Sequence, residues 1–138
     1  MSGSTARGRF ITQDEIVRDT FDWGESGWIS RPSLTGSTAL CVMDVTIKPG
    51  GGHNFHRHPD QEEVIWVREG RIEQWLEQEK HELGPGEAVY IPRDLVHASF
   101  TIGDAAAKLS VILSPTAGDD GYSVIDVFDQ EPWASLRS

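Results

Sequence analysis

Glycine and proline interrupt the chain so often between Pro49 and Pro115 that no long helix fits there. The interruptions separate short β-branched and apolar runs: ALCVMDVTIK at 39–48, HNFHRH at 53–58, EEVIWVRE at 62–69, RIEQWLEQ at 71–78, EAVYIP at 87–92, HASFTI at 97–102, KLSVILSP at 108–115 and YSVIDVF at 122–128. Each has the length of a strand, and none shows a sustained 3.6-residue period. Such a succession predicts an all-β sandwich or barrel.

A chain of 138 residues supports one core of that kind. Within it we read an N-terminal arm with short strands over 1–38, a barrel core over 39–116, and a C-terminal strand with an acidic, solvated edge over 117–138. Twelve basic against 22 acidic residues leave a net charge of −10. That field disfavours nucleic acid and anionic membranes as partners. Cys41 is the single cysteine and has no intrachain disulfide partner, which fits a reducing compartment. The first ten residues lack the apolar stretch of a secretory signal, and no run approaches the ~18 apolar residues of a membrane span. The expected location is the cytoplasm.

Taking Gly70-Arg71 as a two-residue hairpin turn sets Val67 against Gln74 and Trp66 against Trp75, with both tryptophans on the outer face. Glu63, Ile65 and Val67 then share the opposite, interior face. Glu62, one position earlier, falls outside.

His56 and His58 flank Arg57, and on a strand that spacing aims both imidazoles the same way. With inward-facing Glu63 and with His97, after the turn at IPRD, they form a donor set suited to a divalent first-row metal with positions left open. These residues resemble the two motifs of the cupin superfamily. Gly50, His56, His58, Glu63 and Gly70 match the first motif throughout. Gly86, Pro92 and His97 match the second, in which Asp94 and Thr101 stand where the family has Gly and Asn.

The resemblance covers roughly residues 40–115 and implies a small, single-domain jelly-roll (double-stranded β-helix) barrel. It implies one metal ion per chain, of Fe, Mn, Ni, Cu, Co or Zn, held by His56, His58, Glu63 and His97. The expected function is a metal-dependent enzyme acting on a small oxygenated organic molecule. Dioxygenase chemistry is placed first, and an isomerase, lyase or cyclase using the metal as a Lewis acid close behind. A non-catalytic metal-dependent binding module is the alternative from another class.

Beyond the four ligands, His53 and Tyr90 are the candidate acids or bases, while Gln74 and Ser99 are candidate lumen hydrogen-bonders. His81, between Lys80 and Glu82, reads as exposed. Arg31, before Pro32, offers an anchor for a substrate carboxylate, but a surface turn residue is the more ordinary reading and it stays outside the expected site. Cys41 reads as a small buried strand residue. Trp66 and Trp75 together would expose an apolar patch, from which we expect a two-fold homodimer with the arm crossing to the partner.

Overall fold

The computed structural model describes residues 7–137. The first six residues of the expected arm, and Ser138, lie outside that range. After a single 3-10 turn at Gln13–Glu15, the strands and short helices are β1 (Val17–Phe21), β2 (Gly24–Ser30), α1 (Pro32–Thr35), β3 (Cys41–Ile47), β4 (Gly52–Arg57), β5 (Glu62–Glu69), β6 (Ile72–Leu76), β7 (Glu79–Leu83), β8 (Ala88–Ile91), β9 (His97–Thr101), β10 (Ala107–Ser114), β11 (Ile125–Asp126) and α2 (Trp133–Leu136). They build two antiparallel sheets, a larger one ordered β1-β2-β3-β10-β5-β8 and a smaller one ordered β11-β4-β9-β6-β7. Because β3, β4, β5 and β6 alternate between the sheets, the chain wraps as a jelly roll, the all-β architecture implied by the strand spacing. Among the described residues no helix is long and apolar enough to cross a membrane.

Alternation along the strands creates the interior. In β3 and β10 every second side chain is buried, and Met43, Val45, Ile47, Leu109, Val111 and Leu113 meet Ile65 and Val67 of β5 between the sheets. Burying side chains of this size stabilises by about 1.5 to 3 kcal/mol each. The barrel therefore rests mainly on its aliphatic wall.

The segment around Gly70 is not a hairpin. β5 pairs with β10 and β8, whereas β6 pairs with β9 and β7, so Gly70-Arg71 carries the chain from one sheet to the other. Gly70 has φ +77°, and a Cβ there would sit 2.5 Å from the Ala106 carbonyl oxygen. A glycine is needed for this close crossing. The expected pairing of Trp66 with Trp75 is thus wrong: Trp66 is 50% exposed on the larger sheet, and Trp75 is buried on the outer side of the smaller one. The interior assignment of Glu63, Ile65 and Val67 survives, because strand parity does not depend on which neighbour the strand pairs with.

Two further expectations need correction. The arm does not leave its own barrel between residues 17 and 30, since β1 and β2 form a hairpin that extends the larger sheet through β3. The C-terminal stretch is more than a solvated acidic edge. Val127, Trp133 and Leu136 pack on Phe55, Trp75 and Phe100, covering the outer face of the smaller sheet. Arg137 lies over the Phe100 ring and pairs with Glu73 at 2.6 Å. Its acids Asp119, Asp120, Asp126, Asp129 and Glu131 remain exposed at the surface.

The outer face of the larger sheet has no such cover among the described residues. Val42, Ile112, Val64 and Tyr90 stand opposite one another across β3, β10, β5 and β8, with Trp66 beside them. This apolar row replaces the tryptophan pair as the uncovered patch.

Candidate metal centre

Three imidazoles project from the smaller sheet. His56 of β4 is the direct strand partner of His97 of β9, and their ring centroids are 4.2 Å apart. His58 follows two residues after His56 on the same face. One nitrogen from each of the three rings lies within 4.8 Å of the others, and all three residues are buried. Glu63 faces them from the larger sheet, with Oε1 2.9 Å from His97 Nε2 and 3.3 Å from His58 Nε2. The structure thus brings together the four residues assigned from the sequence.

Backbone carbonyls orient the three rings. Nδ1 of His56 lies 2.6 Å from the Asn54 carbonyl, that of His58 2.7 Å from the Ser123 carbonyl, and that of His97 3.0 Å from the Leu95 carbonyl. A carbonyl only accepts, so each Nδ1 donates and each Nε2 is left to face the interior. The Ser123 carbonyl is itself held in place by Gln61, a buried side chain absent from the sequence-derived site. Gln61 Nε2 donates to the carbonyls of Pro115 and Gly121 at 2.7 and 3.0 Å, and Oε1 accepts from the Ser123 N–H at 3.1 Å. No local signal marks this residue, because its partners lie more than 50 positions away.

The donor set fits a cation. Glu63 Oε1 and His97 Nε2 are buried without a hydrogen-bond partner although they are close, an arrangement that a positive ion between them would resolve. Burial would raise the Glu63 carboxyl, but the His97 and His58 imidazoles outweigh it and hold the group well below the usual carboxylate range. Burial pulls the His58 ring down, yet the adjacent Glu63 carboxylate outweighs it, so its pKa is raised. His56 is depressed well below an ordinary histidine by burial and by the neighbouring imidazoles. Buried nitrogen donors and a carboxylate suit a divalent first-row ion.

These residues line a cavity whose other walls include Met43, Val45, Ile65, Leu109 and Val111. His53 lines it too. Positions 53 and 56 should fall on opposite faces of a regular strand, but a bulge between them resets the alternation so that both rings face the lumen. The His53 ring stacks on His56 at 3.7 Å and on Trp23 at 5.4 Å, and Trp23 stacks on Phe21 at 5.0 Å. Burial, with the other imidazoles, lowers the His53 pKa to about 4, so the ring is neutral at neutral pH.

The remaining candidates divide. Ser99 lines the cavity and donates to Gln74 Oε1 at 2.6 Å, so Gln74 is a buried support behind the wall. Tyr90 is not in the lumen: it is 56% exposed on the outer sheet face and donates to Glu62 at 2.9 Å. Its neighbours show why. Ile91 stands beside Glu63 and points inward, so Tyr90 must point out. His81 is exposed beside Glu79. Cys41 is buried, and burial pushes its thiol up to about 11.

At the two departures from the family motif, Thr101 places its hydroxyl 3.0 Å from the carbonyls of Lys48 and Gly51, holding the loop before β4. Asp94 adopts φ +63°, a left-handed conformation that Asp tolerates better than most residues, and pairs with Arg57 at 2.6 Å. Sequence reasoning did not place Trp23, Ser26 or Tyr122, all of which line the cavity.

A metal-ligand cluster inside a small jelly roll defines a cupin-type centre, and residues 43–113, half of the chain, match the family Cupin_2, the cupin domain. The chain belongs to the cupin family. It is 28% identical to protein SchB of Streptomyces halstedii over 126 residues, which cover 91% of each chain. It is 29% identical to polyketide synthase CurC of Streptomyces cyaneus over 120 residues, covering 87% of this chain and 78% of that one. Among solved structures it resembles the polyketide cyclase RemF of Streptomyces resistomycificus, with a TM-score of 0.72 and 19% identity, covering 96% of this chain and 94% of that one.

Proposed function

We propose that this chain is a metal-dependent cyclase that closes a ring in a poly-β-carbonyl substrate. The observation that carries the reading is His53, a neutral imidazole outside the four-ligand set but facing the same largely aliphatic cavity. The names of CurC and RemF support the substrate class. We assign His56, His58, Glu63 and His97 to one divalent ion per chain. Such an ion supplies Lewis acidity toward paired carbonyl oxygens.

The protein supplies the rest. His53 has no hydrogen bond of its own among the described residues, so a ring nitrogen is available to take a proton from the methylene between two carbonyls. That carbon attacks a distant ketone carbon, a C–C bond forms, and the proton on His53 returns to the new alkoxide. Loss of water then completes the ring with no change in oxidation state. Aliphatic walls exclude bulk water from the enolate, and Ser26 lines the same cavity.

The test is to offer methyl 3,5,7-trioxooctanoate to protein loaded in turn with Zn, Mn or Fe. The expected result is an aromatic dihydroxybenzoate ester with no oxygen uptake. His53→Ala should slow turnover by about 100-fold or more while metal content is unchanged. Oxygen consumption matching substrate loss would replace the cyclase reading by dioxygenase chemistry. Tight binding without turnover under every metal would identify a binding module.

We also propose that two copies pair through the row formed by Val42, Ile112, Val64 and Tyr90 with Trp66. Light scattering should give twice the 15.3 kDa chain mass. Trp66→Glu, which buries a charge if the face is covered, should shift the protein to monomer. A wild-type monomer at micromolar concentration overturns this assembly.

A further inference from the structure

Arg31 is the anomaly outside the metal centre. Its guanidinium carbon lies 4.2 Å from the Trp28 ring centroid, its Nε is buried without a hydrogen-bond partner, and among the described residues no carboxylate pairs with it. Acids are abundant in this chain, 22 against 12 basic residues, so the missing partner is not a matter of supply. The stem is held in place: Gly121, at φ +96°, approaches so closely that a Cβ there would sit 2.9 Å from Arg31 Cβ. A half-buried guanidinium with unused donors is a fixed receptor for an anion.

The groove around it specifies which anion. Phe21, Trp28 and Tyr122 form its aromatic walls, with Asp19 and Asp120 at its side. The Trp28 and Tyr122 rings are 5.4 Å apart and tilted by 37°. The Trp28 indole N–H already occupies Asp19, at 2.8 Å. Two carboxylates beside one guanidinium repel a phosphate dianion, while a monoanion attached to a flat ring can pair with Arg31 and stack on the walls. Tyr122 also lines the metal cavity, its ring 6.2 Å from that of His58, so groove and lumen share one wall.

We propose that this groove is a second binding site, specific for the carboxylate of a planar aromatic acid. The site stands independently of the ring-closure reading, since it requires neither the metal nor turnover. The probes are 2-naphthoate, 2-naphthol and 2-naphthyl phosphate, titrated calorimetrically at pH 7 into metal-loaded protein and again after chelation. Naphthoate should bind about tenfold tighter than naphthol, as expected for a bidentate charge-assisted pair, and the phosphate more weakly than naphthoate. Arg31→Met should abolish the difference between naphthoate and naphthol, Arg31→Lys should reduce it, and chelation should leave it unchanged.

Equal affinity for naphthoate and naphthol in the wild type overturns the proposal. So does a preference that persists in Arg31→Met, or one that disappears on chelation, which would put the carboxylate on the metal. If Arg31→Met does not fold, the wild-type protein still decides: naphthoate must shift the Trp28 indole N–H resonance and leave that of Trp133 in place, and the opposite pattern rejects the groove. The trioxo ester assay reads product formation, so either proposal can fail alone.

Discussion

Replacing His56 and His58 together by alanine should reduce bound divalent metal from about one ion per chain to a trace while the far-UV spectrum of the barrel is retained. Altering a group that merely orients a ligand typically weakens metal binding 10–100-fold, so removing two ligands should cost more than about 100-fold. The fold should tolerate the change because both rings face the cavity and the apolar wall between the sheets is untouched. A paired comparison tests the carboxylate. Glu63→Gln should lose metal, whereas Glu62→Gln should keep it, since Glu62 lies on the outer face with Tyr90. Unchanged metal content in the double histidine variant, or a reversed result for the two glutamates, would displace the centre.

The second large effect is expected at Gln61. Gln61→Leu leaves the carbonyls of Pro115 and Gly121 and the Ser123 N–H without their side-chain partner. The Gly121 carbonyl keeps the Ala117 N–H, so two groups are left unpaired, and at about 1 to 3 kcal/mol each the metal-free protein should lose about 2 to 6 kcal/mol against urea. That is a large fraction of the 5–15 kcal/mol typical of a domain. Metal affinity should fall about 10–100-fold as well, because the Ser123 carbonyl would no longer be positioned to orient His58. A destabilisation below about 1 kcal/mol would show that the loop holds itself and that Gln61 is incidental.

These two sites mark what was legible in the sequence. The spacing of His56 and His58 and the inward parity of Glu63 are local properties of extended chain, and they remain valid whichever strands become neighbours. Pairing is a different matter. Gly70-Arg71 has the look of a hairpin turn, but the same residues serve equally well to cross between sheets, and only the packing of β5 against β10 decides. His53 eluded parity because the extra residue of the bulge has no signature in the run HNFHRH. Tyr90 could have been excluded, since Val89 and Ile91 take the inward positions on either side of it. Gln61, Trp23 and Tyr122 meet the centre only through contacts distant in sequence, which no periodicity encodes.

The Ser123 carbonyl behind His58 has a consequence for how the protein matures. Three of the four candidate ligands emerge from the ribosome well before residue 123, yet the ring of His58 is aligned only once the stretch beyond β10 has doubled back onto Gln61. A nascent chain lacking that stretch would present imidazoles without their final alignment and would hold a metal ion loosely. Firm retention of an ion at these ligands would therefore require the last loop to close, which makes the stretch beyond β10 part of the centre although it supplies none of the four ligands.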